Sequence, residues 1–129
     1  MNITVDEARE YFRDPSQRLM GVTPENLPDD VEYRAIGPLC LIFHRALWPD
    51  VWMVHCAAKP EGWGKLDQPA ATILAAFWAE VAPQRIIAWI SETNRPVAAF
   101  ARRLGFTVDG KMDLPSGSVI QTGWRPTWA

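Results

Sequence analysis

Val54-His55-Cys56-Ala57-Ala58-Lys59-Pro60-Glu61-Gly62-Trp63-Gly64 is the stretch whose reading decides the fold. An apolar run enters a Lys59-x-x-Gly62-x-Gly64 turn, and a long apolar segment follows. Such a turn predicts a strand leading into a helix N-terminus, where unpaired N–H donors and the helix dipole favour an anion. On this reading Gly62, Trp63, Gly64 and Lys65 offer main-chain donors to phosphate oxygens, with the Lys59 cation beside them. The glycines keep side chains out of the way and allow unusual backbone angles. The plainer alternative is an ordinary strand-to-helix turn with a solvated lysine.

Outward from this turn the elements are legible. Gln68–Ala82 carries Ile73, Leu74, Phe77, Trp78 and Val81, the pattern of a helix buried over a wide face. Pro69 fits only a first turn, so the helix begins near Asp67, and Pro83 stops it. Arg85–Ile90 reads as a strand covered on both sides. Arg95–Leu104 reads as a helix with Val97, Phe100 and Leu104 on its core stripe and Gly105 after its end. Thr107–Asp109 and Ser118–Gly123 read as a final strand pair joined by a loop. Upstream, Val31–Ile36, Leu39–Leu47 and Val51–Ala57 are separated by Gly37-Pro38 and Trp48-Pro49-Asp50, which predicts an antiparallel meander. Pairing the last two strands would bring Cys40 near Cys56. Thr4-Val5-Asp6-Glu7 has capping-box spacing and predicts a short helix to Phe12, while residues 13–29 read mostly as loop. The sum is one mixed α/β (α+β) domain over residues 1–129, built on a single sheet.

A second block follows, Glu92-Thr93-Asn94-Arg95-Pro96-Val97-Ala98-Ala99-Phe100-Ala101-Arg102-Arg103-Leu104-Gly105-Phe106. The two blocks together resemble the acetyl-CoA motif and the later asparagine and Gly-Phe motif of the GCN5-related N-acetyltransferase (GNAT) superfamily. The resemblance covers about half of the chain. It implies a mostly antiparallel sheet with splayed central strands, here Val51–Ala57 and Arg85–Ile90, and helices on both faces. It also implies an acetyl-CoA-dependent N-acetyltransferase acting on the primary amine of a small molecule or peptide. The pantetheine would lie in the gap and pair with the main chain of Val54, His55 and Cys56, with Val54 or His55 N–H toward the thioester oxygen. Asn94 would contact the cofactor; as an Asn before a helix it is also a natural N-cap. Residues 1–30 are short for the family, and the acceptor pocket falls to residues 13–30 and a 110–118 loop. Where the family often has a general-acid tyrosine, this chain has Ala101. The alternative is a non-catalytic domain of the same shape, a binding or structural subunit such as a bacteriophage virion or tail component.

Composition narrows the field. Apolar residues make up 48% of 129 and charged ones 22%, with net charge −2, which fits a folded domain and not a nucleic-acid footprint. No apolar run is long enough to span a bilayer, and the first ten residues lack the basic and apolar regions of a signal peptide. The expected compartment is the cytoplasm, or the virion on the alternative reading. Two cysteines make no disulfide framework. Seven tryptophans supply large buried areas or a surface for a partner, a homodimer or larger assembly included.

Acyl transfer to an amine needs a base for the ammonium. His55 is the candidate, on the strand beside the gap and with suitable intrinsic chemistry, and His44, Glu32 and Asp50 are rivals. A histidine on an apolar strand also serves as a hydrogen-bonded core residue. No metal is expected. Cys40 and His44 lie roughly 13 Å apart along a strand, and His55 and Cys56 point to opposite faces.

Overall fold

Seven strands run in the order β1-β2-β3-β4-β5-β7-β6 across one sheet, in a computed structural model that describes residues 1–18 and 22–129. They are β1 (Asn2–Ile3), β2 (Glu32–Ile36), β3 (Leu39–Arg45), β4 (Val51–Ala58), β5 (Arg85–Ser91), β6 (Thr107–Leu114) and β7 (Gly117–Trp124). Every neighbouring pair is antiparallel except β4 and β5, which are parallel and joined through α2 (Asp67–Val81). The other helices are α1 (Val5–Ala8), followed by a 3-10 segment Arg9–Phe12, and α3 (Arg95–Leu104). The mixed architecture and the mostly antiparallel sheet match the reading of the sequence.

The sheet is covered on both faces. Ala70, Ile73, Leu74 and Phe77 form the buried stripe of α2 at helical spacing. They pack with Leu39, Leu41, Phe43, Trp52, Val54, Ile86 and Ala88 and with Ala101 of α3. Phe77 stacks on Phe43 with ring centres 4.0 Å apart, and Trp52 meets it edge-on at 5.2 Å. Each large apolar side chain so buried stabilises the fold by roughly 1.5–3 kcal/mol. On the opposite face Ala8 and Phe12 cover Tyr33, Cys40, Ile42 and Ala57. α1 is held by the expected capping box: Glu7 N–H donates to the Thr4 hydroxyl oxygen and Thr4 N–H to the Glu7 carboxylate.

Two expectations are corrected. β6 and β7 extend to a two-residue turn, Pro115-Ser116, so 110–118 is mainly hairpin strand and not an open loop. Their ladder, with a bulge near Val108 and Gly110, extends the edge of the sheet. Cys40 lies opposite Ala57 and Cys56 opposite Leu41, so the two free thiols occupy opposite faces. Among the described residues, no helix is long and apolar enough to cross a membrane.

Candidate functional site

Parity along β4 defines the site. Lys59 N–H donates to the Pro38 carbonyl at 2.8 Å, and Ala46 N–H to the Val51 carbonyl at 2.9 Å. Odd-numbered residues of β4 therefore turn their main-chain groups toward β3, and even-numbered residues turn theirs the other way. β5 occupies that other side only for Val51, Trp52 and Met53, the last of which lies opposite Ile87. Beyond this vertex β5 continues beside β7 to Ser91, while β4 continues beside β3 to Ala58. The strands part, and Cys56 and Ala58 present their main chain to the gap with Val54 at its vertex. His55 N–H belongs to the ladder with Ile42, so it cannot serve a ligand in the gap. Val54 N–H closes the parallel Met53–Ile87 bridge by donating to the Ile87 carbonyl, so both expected oxyanion donors are engaged within the sheet.

The side chains divide by the same parity. Cys56 shares the α2 side with Trp52, Val54 and Ala58, and it is exposed, with desolvation pushing its thiol up to about 11. Cys40 is fully buried, and desolvation pushes it to about 12. His55 is half-buried on the opposite face. Its Nε2 lies 2.9 Å from Nε2 of His44, and burial, followed by the nearby His44, pulls its pKa down to about 4. The rival carboxylate Glu32 is bound to buried Arg34 at 3.0 Å. Asp50 lies outside β4, in the β3–β4 turn at a φ of 60°.

The glycine turn differs from expectation. Gly62 N–H donates to Lys59 O, Trp63 N–H to Pro60 O and Lys65 N–H to Gly62 O, at 3.0, 3.1 and 2.9 Å. Three of the four proposed donors are thus consumed by a 3-10 turn, Pro60–Gly62, and its continuation. Among the described residues Gly64 N–H has no partner, and neither do Leu66, Asp67 and Gln68 N–H at the start of α2, which no side chain caps. The open donor set therefore lies further along the chain than the motif suggested. Gly62 is required for another reason: a Cβ there would stand 2.3 Å from Cγ of Pro38. Gly64 is the conformational glycine, with φ +87° and open space around it. Trp63 is 52% exposed and does not fill the turn.

Two of the cations near the turn are already engaged. Lys59 Nζ lies 3.3 Å from the Glu10 carboxylate and 4.8 Å from the Tyr11 ring centre. A shallow groove of about 350 Å³ runs past Pro38, Lys59, Gly62 and Lys65. At the α2 N-terminus Asp67 holds Arg103 of α3 by two bonds, at 2.8 and 3.1 Å, and this bond keeps the Asp67 carboxyl below its usual range. Asn94 caps α3, its side-chain oxygen accepting from Val97 N–H at 3.4 Å. Ala101 is buried among core residues and offers no hydroxyl. Gln17, Arg103 and the pairing of His44 with His55 were not assigned from the sequence. Only the placement of His44 and His55 on strands flanking one hairpin turn hinted at the last.

Solved structures share this fold over almost the whole chain. A GNAT-family acetyltransferase from Bacillus anthracis superimposes with a TM-score of 0.71 at 19% identity, covering 92% of this chain and 87% of its own. The chain has a GNAT-like fold. A ribosomal-protein-S5-alanine acetyltransferase from Vibrio fischeri gives 0.70 at 14% identity, over 98% of this chain and 94% of that one. An aminoglycoside acetyltransferase in complex with coenzyme A gives 0.73 at 14% identity, over 96% and 92%. No protein-family model matches the sequence, and no curated protein matches it. In the GNAT-like frame the parted pair β4 and β5 is the pair expected from the sequence. Among the described residues no cluster of His, Cys, Asp and Glu is arranged to hold a metal.

Proposed function

We propose that the chain is an acetyl-CoA-dependent N-acyltransferase that acylates a primary amine. The observation that carries the reading is the parting of β4 from β5 after Met53 and Ile87, which leaves Cys56 and Ala58 main-chain groups facing a gap. An extended amide-bearing arm fits such an edge as a missing strand would. Cys56 N–H, the first β4 donor past the last β4–β5 bridge, is the one that faces the gap for the thioester oxygen, where negative charge develops as the amine attacks. The N–H groups of Gly64, Leu66, Asp67 and Gln68 would meet the diphosphate, with Lys65 and Arg103 as the nearby cations. Asn94 remains a cofactor contact in this proposal, through the amide nitrogen that capping leaves free.

The chemistry needs few groups. The neutral amine attacks the thioester carbon, the C–S bond breaks, and the thiolate takes its proton from solvent, since Ala101 cannot supply one. His55, on the face away from α2 and α3, is the base that receives the amine proton. Burial leaves it unprotonated at neutral pH but makes it a weak base, so it must pass the proton on as it receives it. Peptide and small-molecule amines are both open to such a site.

Titration of the purified chain with acetyl-CoA in a thermal melt tests the reading. Ligand at a hundred times its dissociation constant adds about 2.7 kcal/mol of stability. Release of free thiol that depends on an added amine tests turnover, and His55→Ala should slow it about 100-fold while cofactor affinity stays within a few-fold. A melt unmoved by millimolar acetyl-CoA leaves the non-catalytic domain as the better account, which the internally paired glycine turn would then explain.

A further inference from the structure

We propose that His44 is a positioning and relay residue that takes, through Nε2, the proton that His55 receives from the acceptor amine. The inference rests on the acyltransferase reading and concerns one step of it. The Nε2 atoms of His44 and His55 are 2.9 Å apart, closer than stacked ring faces approach, with ring planes 13° apart and centres separated by 5.0 Å. Those values describe two imidazoles joined edge to edge by one N–H···N bond.

Tautomers follow from the partners. His44 Nδ1 lies 3.1 Å from the Arg45 carbonyl oxygen, which can only accept, so Nδ1 carries the hydrogen. Neutral His44 then has its lone pair on Nε2, and His55 must donate Nε2–H to it. The remaining lone pair of His55 sits on Nδ1, at the far side of the ring from His44, and none of the described residues pairs with it. This order leaves one histidine with a basic nitrogen open and the other with a place to pass the proton.

Position and charge agree with the order. His55 lies two residues past the last β4–β5 pair and on the same face as Met53. The side chains flanking the pair on that face, Ile42, Met53 and Ala57, are apolar, and the nearby cation, Arg45, stands over the Trp52 ring at 4.8 Å. Burial disfavours an imidazolium on His55, so a proton arriving at Nδ1 gains by displacing Nε2–H onto His44. His44 is bonded to Arg45 at an exposed position and returns a proton to solvent. One proton enters at His55 Nδ1 and one leaves from His44 Nδ1, with no change in oxidation state, and exchange with solvent then returns both rings to their starting tautomers.

Side-chain ¹⁵N NMR and the kinetics of two variants test the relay. In the free protein, His44 should show Nδ1–H and His55 Nε2–H; the reverse assignment overturns the proposal. His44→Gln can accept the His55 bond but cannot carry a proton. It should lower kcat about 10-fold, leave KM for acetyl-CoA unchanged, and recover part of the rate when imidazole is added. His44→Phe, which also releases the His55 ring, should lower kcat further. An active wild type with His44→Gln at full rate and an unaltered pH profile overturns the relay alone. A wild type that releases no thiol with any amine overturns the acyltransferase reading and the relay with it.

Discussion

Gln17 reaches across to the sheet and accepts the Ala58 N–H on its side-chain oxygen at 2.9 Å, at the edge of β4 that β5 no longer covers. The residue closes the 3-10 segment Pro15–Gln17, which Asp14 caps through Ser16 N–H. An amide carbonyl from the chain itself thus satisfies a donor at the mouth of the gap.

A ligand arm that uses Ala58 N–H must first displace Gln17. That bond is worth about 0.5–1.5 kcal/mol. Gln17→Ala should therefore tighten acetyl-CoA binding roughly 3- to 10-fold by isothermal titration, at a small loss of stability. Unchanged or weaker binding would show that the ligand does not use this donor.

Cys56 should report occupation of the gap. Its thiol is accessible but held at about 11, so alkylation is slow at neutral pH and accelerates as the solution becomes alkaline. Cys40 is buried and should stay unmodified. Coenzyme A should protect Cys56, as read by mass spectrometry of the alkylated chain at pH 9. Equal labelling with and without coenzyme A would move the ligand elsewhere.

The two turn glycines should fail differently. Gly62→Ala drives a methyl group into the Pro38 ring and should cost roughly 1–3 kcal/mol in a urea melt. Gly64→Ala meets no atoms but holds a left-handed angle, at a cost of about 1–2 kcal/mol. If Gly64 N–H contacts the diphosphate, its variant should also weaken cofactor binding, whereas the loss for Gly62→Ala should be one of stability alone. Wild-type stability in Gly62→Ala would refute the packing account.

Acid should expose the buried base. The His55 pKa falls from 6.5 to about 4 on folding, so between these values the unfolded chain binds the extra proton. Its contribution is complete above pH 6.5 and is lost as pH falls toward 4, at about 1.4 kcal/mol for each unit of difference. Stability should drop between pH 6.5 and 5, and His55→Gln should flatten that slope. Equal slopes in the two proteins would mean that His55 is hydrated and freely titrating.

Local chemistry was legible in the chain. Thr4 and Glu7 form the capping box, Asn94 the N-cap and Gly105, at φ +100°, the end of α3. Pro69 and Pro83 bracket α2, and Gly37 and Trp48-Pro49-Asp50 divide the meander strands. Each of these signals acts within a few residues, through backbone angles and short-range hydrogen bonds. The β6–β7 hairpin is longer than its sequence suggests because Asp109, Lys111 and Asp113 make an exposed edge strand resemble a loop.

The sequence by itself determined the order of elements and most of their ends, because propensity, capping and hydrophobic period are written in neighbouring residues. Tertiary structure alone decided which donors remain free. Strand register sent His55 N–H to Ile42 and left Cys56 facing the gap, Pro38 explained Gly62, and Gln17 found Ala58. Such pairings join groups distant along the chain, and only the packed sheet brings them within bonding distance.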